Sequence, residues 1–306
     1  MIFVIGFVVA SITYATENYD VSEKKSQSIR LMTFNVRREG SEKYPERQWQ
    51  ARLVLIKECI EKLQPDIIGL QEATQKQVDD LQVALPEFAY VGQGRGKSWW
   101  GLAKDEYTPI FYKKERFALR DHGTFKLNEQ NSLIRWASQL RKNGFLPRIC
   151  TWVKLYDTNN AAEFLVYNTH LDHDFPEARR AEIAVIKQKI EGNSNDIPLV
   201  LMGDFNAEFD GDIKNVLSEF RHAKDIALKV EGPHETRTGW DEKELKWIDH
   251  ILVKKNEQKP ISVEYYAVIQ KTTDQYPSDH RPVIVDLTIN ERDNQEKFDE
   301  CELDND

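Results

Sequence analysis

Apolar, strand-like segments of this chain repeatedly adjoin polar residues that can bind a metal ion or move a proton. Six such places occur, at Asn35, at Gln71-Glu72, at Asn168 to His170, at Asp204 to Asn206, at Asp249, and at Asp279-His280. Asp and Asn also form turns and cap helices, so one case alone says little. Six cases at strand edges are hard to explain as turns. They predict a shared functional site at the edge of a sheet.

The hydrophobic pattern predicts more strands than helices. We predict strands at Ile29 to Phe34, Asp66 to Leu70, Pro109 to Tyr112, Phe117 to Leu127, Arg148 to Leu155, Glu163 to Thr169, Ile197 to Met202, Trp247 to Val253, Val263 to Ile269 and Val283 to Ile289. Spacings of three and four predict helices at Trp49 to Leu63, around Val78 to Leu85, and at Pro176 to Ile190. This combination is typical of a two-sheet sandwich flanked by helices.

Two segments interrupt this pattern. Residues Gly92 to Gly101 are rich in glycine and read as a surface loop. Residues Asn128 to Pro147 are polar and weakly periodic, and a long segment of that kind inside a domain is often functional. No repeat or low-complexity linker divides residues 28–290, so we predict one domain there.

The two ends of the chain differ from the body. Residues 1–15 are apolar and end in Thr13-Tyr14-Ala15, which predicts a signal peptide and a secreted or extracytoplasmic protein. A retained membrane anchor and a start codon assigned too far upstream are the alternatives. Residues 291–306 hold eight acidic and two basic residues, so they carry −6 of the net charge of −9. We predict a disordered acidic tail, with an interaction tail as the alternative.

Charge and cysteine content exclude several classes. An isoelectric point near 5.4 argues against tight, charge-driven binding to a nucleic-acid backbone, but not against an enzyme that reaches phosphates through a metal ion. Cys59, Cys150 and Cys301 have no zinc-type or disulfide-type spacing. We predict that Cys59 and Cys150 are small buried hydrophobic residues.

The residue types at the strand edges suit one chemical task. Asp, Glu and Asn oxygens are hard ligands that Mg²⁺ prefers, and Mn²⁺ accepts them too. Histidines beside aspartates suit proton transfer or stabilisation of an oxyanion. Hydrolysis of a phosphate ester needs a metal ion, activation of water and neutralisation of charge. The sequence therefore predicts a Mg²⁺-dependent phosphoester hydrolase.

Seven stretches make this prediction more specific. They are TFNVR (Thr33 to Arg37), GLQEA (Gly69 to Ala73), PIFY (Pro109 to Tyr112), NTHLDH (Asn168 to His173), GDFN (Gly203 to Asn206), WIDHIL (Trp247 to Leu252) and SDHRPV (Ser278 to Val283). The seven stretches occur in the same order as in the endonuclease/exonuclease/phosphatase superfamily, which includes DNase I, and the chain resembles that superfamily. GDFN followed by SDHRPV is the most specific part. The resemblance implies an α/β (α+β) fold, a four-layer αββα sandwich of two mostly antiparallel sheets.

The resemblance also implies roles at the metal. Glu72 would be the principal Mg²⁺ ligand, helped by Asn35. Asp279 would be a second metal contact or a carboxylate that sets the local field. Abasic-site endonucleases carry an acidic residue where this chain has Arg37. A cation there would repel a second metal ion and could bind a phosphate, so the prediction moves away from abasic-site repair.

Catalytic roles follow from the same resemblance. Asp204 would orient or deprotonate the attacking water, and Asn206 would hold a phosphate oxygen. His280 would contact the scissile phosphate, with Asp249 fixing its ring. His170 would stabilise the transition state or serve the leaving group.

Two further residues are weaker candidates. Glu106 could be a carboxylate partner of His170, with an exposed loop carboxylate as the alternative. Arg148 could clamp a phosphate, with a surface ion pair as the alternative.

The substrate stays open at this point. A nuclease would use basic residues at Arg37, Arg38, Arg95, Lys97, Arg141 and Lys142. A phospholipid or sphingomyelin phosphodiesterase could place Trp99-Trp100 in a membrane interface, although ordinary loop packing is the alternative. A phosphatase of small phosphate esters is the third reading. The alternative from another class is a catalytically silent binding protein of the same fold. We expect a monomer.

Overall fold

The computed structural model describes residues 24–25, 27–96, 105–127, 147–193, 197–270 and 275–290. The predicted signal peptide, the acidic tail, the Trp99-Trp100 pair and nearly all of the polar segment after Leu127 lie outside these residues. So do Lys97, Arg141, Lys142 and Cys301. Within the described ranges, no helix is both long enough and apolar enough to cross a membrane.

Fifteen strands and five α-helices make up the described fold. The strands are β1 Ile29–Asn35, β2 Ile67–Gln71, β3 Ala73–Thr74, β4 Phe88–Val91, β5 Glu106–Tyr107, β6 Ile110–Lys113, β7 Phe117–Lys126, β8 Ile149–Asp157, β9 Ala162–His170, β10 Leu199–Asp204, β11 Phe220–His222, β12 Ala227–Glu231, β13 Asp249–Lys254, β14 Ile261–Val268 and β15 Val283–Ile289. The helices are α1 Trp49–Leu63, α2 Gln75–Ala84, α3 Pro176–Asn193, α4 Gly211–Val216 and α5 Ala223–Ile226, and a 3₁₀ turn spans Pro45–Arg47.

Most strands form two large sheets. One has the order β12-β14-β15-β1-β2-β6-β4 and the other has the order β11-β13-β10-β9-β8-β7. Within them only β1–β2, β9–β10 and β12–β14 are parallel pairs. A hydrophobic layer with members such as Val166, Val200 and Val285 fills the space between the sheets. Helices α1 and α2 cover the outer face of the first sheet, and α3 and α4 cover that of the second. The predicted four-layer αββα sandwich is confirmed.

The helices follow from their sequence pattern. In α1 the buried residues Trp49, Ile56, Ile60 and Leu63 recur at helical spacing and form one face. The helix ends where Gln64 takes a left-handed conformation with φ of 51°, and a proline follows. Helix α2 begins with a capping box, in which the side chains and backbone N–H groups of Thr74 and Gln77 bond reciprocally. The free cysteines Cys59 and Cys150 are buried, as predicted.

Some elements differ from the prediction. Strands β4, β11 and β12 were not predicted, because they are short and their apolar residues do not alternate clearly with polar ones. In β12, an edge strand, Leu228 and Val230 are exposed. The interpretation of Gly92 to Gly101 as a surface loop is wrong at Arg95, which is buried. An ion pair with Glu106 of β5 holds Arg95 inside.

One side chain joins the two sheets near the ends that carry the polar residues. The amide nitrogen of Asn168 in β9 donates to the carbonyls of Leu70 (2.8 Å) and Pro109 (2.9 Å) in the other sheet. Its oxygen accepts a hydrogen bond from Gln71 Nε2 (2.7 Å). A Cβ at Gly69 would lie 2.9 Å from Asn168 Cγ, so glycine allows this close approach. The spacing between the sheets is therefore fixed by a buried polar contact.

A chain of imidazole hydrogen bonds supports the second sheet. His250 Nε2 lies 2.9 Å from the Ala207 carbonyl, which can only accept, so this nitrogen carries a proton. His250 Nδ1 must then accept from His222 Nε2 (3.1 Å), and His222 Nδ1 accepts from the Lys224 N–H (3.1 Å). Both rings are neutral in this arrangement. Burial lowers the pKa of His222 well below its ordinary value and that of His250 to about 4.

The sheet-joining role of Asn168 predicts a large effect of an isosteric change. Asn168→Asp keeps the shape but removes the two donors, so the carbonyls of Leu70 and Pro109 would face a carboxylate. We expect the free energy of unfolding to fall by at least about 3 kcal/mol, since each buried unpaired polar group costs about 1–3 kcal/mol. Denaturant unfolding measures this. The matched control is Asn290→Asp at an exposed position, and an equal effect of both changes would contradict the role.

The imidazole chain predicts a loss of stability in mild acid. Unfolded histidines bind protons below a pKa of about 6.5, whereas these two resist protonation in the folded state. The contribution of these two histidines to stability should therefore fall as the pH drops below about 6.5 and continue to fall towards about pH 4, by about 2 kcal/mol or more for His250 alone, while the raised pKa of Asp204 acts in the opposite direction. Urea unfolding at a series of pH values measures it. His222→Gln should flatten this dependence, whereas His122→Gln at an exposed position should leave it unchanged.

Candidate active site

The ends of two parallel strand pairs bring four predicted residues together. Strands β1 and β2 run parallel in one sheet, and β9 and β10 run parallel in the other. The carboxyl ends of parallel strands lie at the same edge of a sheet. Asn35 ends β1 and Glu72 follows β2, while His170 ends β9 and Asp204 ends β10. Because the sheets pack face to face, the four side chains meet at one end of the sandwich.

Two further predicted residues reach the same place from other elements. Asp249 begins β13 and pairs with Asp204 across the antiparallel β10–β13 ladder. His280 lies just before β15, where its backbone bridges to Arg237. Its Nδ1 is 2.8 Å from Asp249 Oδ2. Asp204, Asp249 and His280 can each present one ligand atom within 4.8 Å of the others.

Unusual backbone conformations aim the side chains at this site. Arg37, Glu72 and Asn206 have φ values of 53°, 62° and 50°, in the left-handed region that residues with side chains rarely adopt. Each follows the end of a strand, so the turn directs its side chain away from the sheet. Gly203 has φ of 144°, and a Cβ there would collide with the Thr169 carbonyl. This explains the glycine of the GDFN stretch.

Asn35 lies between two carboxylates. Its Nδ2 donates to Glu72 Oε1 (3.2 Å) and to Asp204 Oδ2 (3.0 Å), and its Oδ1 accepts from the Arg37 N–H (3.0 Å). The predicted role as a metal ligand requires the oxygen. In this structure the nitrogen faces Glu72, and a half-turn of the amide would present the oxygen instead.

Arg37 supplies positive charge to the predicted metal ligands. Its Nη1 lies 3.8 Å from both Glu72 Oε2 and Asp279 Oδ2, and its Nε donates to Glu42. Burial favours the neutral form of Glu72, but Arg37 and His280 outweigh burial and hold the pKa of Glu72 below its usual range. Arg37 therefore contacts the carboxylates, where the sequence predicted a phosphate ligand.

Two histidines in different protonation states flank Asp204. His170 Nε2 and His280 Nε2 lie 3.7 Å and 3.9 Å from Asp204 Oδ2. Burial opposes the charge of His280, but Asp249 and Asp204 raise its pKa to about 10. Burial and the cation of Arg148 lower the pKa of His170 well below its ordinary value. Burial and Asp249 raise the pKa of Asp204 to about 7, against the effect of His280.

The site has more carboxylates than cations. The carboxylates are Glu72, Asp204, Asp249 and Asp279, and the cations are Arg37 and His280, so the formal balance is 2 − 4 = −2. The buried Oδ1 of Asp249 also has no hydrogen-bond partner. These residues fit one divalent cation with oxygen ligands. His280 is the poorer ligand, because its ring is bonded to Asp249 and is cationic.

A cleft of about 600 Å³ opens at this end of the sandwich. Nine of the predicted residues line it, namely Arg37, Glu72, Glu106, Arg148, His170, Asp204, Asn206, Asp279 and His280. Asn35 and Asp249 are fully buried behind them. Asn206 is fixed by bonds from its N–H to Asp204 Oδ1 (2.9 Å) and from its Nδ2 to the Leu171 carbonyl (3.0 Å). The structure thus brings all the predicted site residues together.

Glu106 differs from its predicted contact. Its Oε1 lies 2.9 Å from Arg95 Nη2 and 3.8 Å from Arg38 Nη1, so its partners are arginines rather than His170. Burial raises the pKa of Glu106, although Arg95 acts in the opposite direction. The carboxylate found near His170 is Asp204, which ends the neighbouring strand.

Sequence reasoning missed several residues of the cleft. Arg38 and Arg95 were considered only for a nucleic-acid groove, and His173, Arg237 and Lys246 were not singled out. His173 ends the NTHLDH stretch, so its position in that stretch was a usable signal. The local sequence does not mark Arg38, Arg95, Arg237 or Lys246 as cleft residues, because their approach to the cleft depends on loops and on contacts between distant segments.

A four-layer αββα sandwich with carboxylate, amide and imidazole groups gathered at its strand ends defines a DNase I-like phosphoesterase fold. A family model described as Endonuclease/Exonuclease/phosphatase family matches residues 32–280. The chain belongs to this family.

Two solved bacterial structures have a similar fold. An endonuclease/exonuclease/phosphatase from Bacteroides vulgatus is 29% identical, with a TM-score of 0.74 over 86% of this chain and 99% of that one. A mannosyl-6-phosphatase from Bacteroides thetaiotaomicron is 26% identical, with a TM-score of 0.71 over 85% of this chain and all (100%) of that one. Among curated proteins, the Protein angel of Drosophila melanogaster is 28% identical over 165 residues. That match covers 52% of this chain and 44% of the Drosophila protein.

The left-handed conformation at Asn206 predicts an order of stability among substitutions. Asn206→Ala and Asn206→Gly lose the same side-chain contacts, but only glycine accepts φ of 50° without strain. We expect the glycine variant to be more stable than the alanine variant by about 1 kcal/mol. Thermal and denaturant unfolding of both variants measures the difference. An alanine variant as stable as the glycine variant would contradict the strain.

Proposed function

We propose that this protein hydrolyses phosphoester bonds in the cleft with the help of a divalent metal ion, Mg²⁺ or Mn²⁺. The observation that carries the proposal is the placement of Asp204 Oδ2, 3.7 Å from His170 Nε2 and 3.9 Å from His280 Nε2, with the Asn35 amide donating to both Asp204 and Glu72. Family membership supports a hydrolase in general terms. The catalytically silent alternative is disfavoured because each predicted catalytic side chain is present and lies at the site.

The side chains divide the work of hydrolysis. Asp204, whose pKa lies near 7, is suited to orient an attacking water and to accept its proton. The imidazolium of His280, held by Asp249, is suited to neutralise negative charge on the phosphate. Asn206 uses one amide hydrogen on the Leu171 carbonyl and retains a second for a phosphate oxygen. Neutral His170 is suited to a hydrogen bond with the leaving group.

A metal ion would be held by Glu72, Asn35 and Asp279. Bound there, it would supply polarisation of a phosphoryl oxygen and neutralisation of charge. It would share Glu72 and Asp279 with Arg37, whose Nη1 lies 3.8 Å from a carboxylate oxygen of each.

A small organic phosphate is the substrate class that these observations favour. The cleft holds Glu106 and Glu244 among its basic residues, so it does not form a continuous positive track for a nucleic-acid backbone. The similar Bacteroides thetaiotaomicron structure is that of a phosphatase of a phosphorylated sugar. Secretion, contact with a membrane interface and a monomeric state stay predictions.

Substitution of the central groups tests the proposal. Asp204→Asn and His280→Gln should each lower turnover of p-nitrophenyl phosphate or its bis-ester by at least about a hundredfold, the usual scale for such groups. EDTA should abolish activity, and Mg²⁺ should restore it. The matched controls are Asp121→Asn and His122→Gln at exposed positions of β7, which should retain full turnover. Near-normal turnover in folded Asp204→Asn and His280→Gln proteins would refute the proposal.

A further inference from the structure

Two buried arginines face the cleft on the side of His170. Arg95 is 5% exposed and Arg148 is 3% exposed, yet both line the cleft. They come from separate parts of the chain, the segment after β4 and the residue before β8. The Nε of each is buried and has no hydrogen-bond partner among the residues that the structure describes. Both guanidinium groups therefore keep unused donors beside the cleft.

The contacts within the chain satisfy these arginines only in part. Arg95 Nη2 pairs with Glu106 Oε1 at 2.9 Å. Arg148 Nη2 lies 2.8 Å from His173 Nδ1, which must accept because a guanidinium only donates. An imidazole nitrogen that accepts a hydrogen bond brings no negative charge. Each guanidinium has five donor hydrogens, so most of them are left without an acceptor in the described part of the chain.

The charge on this side of the cleft is positive. Glu106 is the carboxylate that Arg38 and Arg95 contact, and Arg148 adds a third cation, so these four residues have a formal balance of 3 − 1 = +2. Burial lowers the pKa of Arg95 to about 10, with Glu106 acting against burial and Arg148 acting with it. Buried charge without a counter-ion is costly. The arrangement gains most when an anion binds between the two guanidinium groups.

The rest of the cleft has the opposite balance. Around Glu72 and Asp204 the carboxylates exceed the cations, as expected for a metal site. Among the described residues, Arg95 and Arg148 form no contact with Asp204 or His280. The charges of both arginines lower the pKa of His170, whose Nε2 lies 3.7 Å from Asp204 Oδ2. The cleft thus has an acidic part around Glu72 and Asp204 and a basic part around Arg95 and Arg148, and Arg237, Glu244 and Lys246 line a third part.

We infer that Arg95 and Arg148 form a second anion subsite, which binds a second phosphate or carboxylate group of the substrate. The scissile phosphate binds at Asp204, Asn206 and His280. Planar guanidinium groups suit bidentate contacts with such oxyanions. The inference rests on the proposed function for the scissile group, but anion binding by the two arginines does not depend on turnover. The favoured substrate is therefore a small phosphate ester with two anionic groups.

A matched pair of substrates tests the inference. Propane-1,3-diol bisphosphate and 3-hydroxypropyl phosphate differ only in the second phosphate. We expect the wild-type kcat/KM to favour the bisphosphate by at least about tenfold, the usual effect of a charge-assisted hydrogen bond. Arg95→Gln and Arg148→Gln should bring the ratio of the two kcat/KM values close to one, because a neutral amide forms weaker bonds to the second oxyanion. An equal loss on both substrates would assign the arginines to the scissile phosphate and overturn the inference.

A binding measurement separates this inference from the proposed function. Titration calorimetry with inorganic sulfate in EDTA requires no turnover. Asp204→Asn should retain sulfate affinity, whereas Arg148→Gln should lose at least about tenfold. Arg148→Lys keeps the charge but lacks the planar guanidinium group, so its sulfate affinity should lie between those of Asp204→Asn and Arg148→Gln. This variant tests the subsite if Arg148→Gln fails to fold. Arg120→Gln, at an exposed position outside the cleft, is the matched control. Unchanged sulfate affinity in the folded Arg148 variants would refute the subsite even if hydrolysis is confirmed.

Discussion

The hydrogen bonds from Asn168 across the two sheets are the constraint on which the site depends. Glu72 is held by one sheet and Asp204 by the other, so neither sheet alone contains the site. Hydrophobic packing sets the distance between sheets only loosely, because apolar contacts have no direction. Directed bonds from one amide to Leu70 and Pro109 fix both spacing and register beside the cleft. Asn168 thus holds together the strand ends that carry Glu72 and Asp204.

The second constraint is electrostatic. The chain places opposite net charges in two parts of one cleft, and neither part is fully neutralised by its own residues. In the acidic part Arg37 serves as a cation for Glu72 and Asp279. In the basic part Glu106 is the counter-ion of Arg95. Each unbalanced buried charge destabilises the free protein. A ligand group of the opposite charge removes that cost when it binds, and this adds to its binding free energy.

The sequence predicted the fold and the location of the site for a physical reason. Strands such as Val283 to Ile289 carry a strong apolar signal, and residues at the ends of parallel strands converge by geometry. The partner of Glu106 could not be predicted in this way. Its contact with Arg95 depends on the path of a glycine-rich segment, and local composition indicated exposure there. The role of Asn168 could not be predicted either. The local sequence around an asparagine at a strand end is the same whether its side chain faces a ligand or a second sheet.

Backbone strain is the observation that links these points. Arg37, Glu72 and Asn206 each adopt a left-handed conformation, which costs about 1–2 kcal/mol for most residues with a side chain and less for asparagine. Glycine would remove that cost at each position but would also remove the charged or amide group. The large hydrophobic layers and the Asn168 contact can sustain such a cost, whereas an isolated loop could not. Gln64, Ala161, Trp240 and Glu242 adopt the same conformation outside the cleft lining, so it is not confined to the site. At Arg37, Glu72 and Asn206 it places a charged or amide side chain at the cleft.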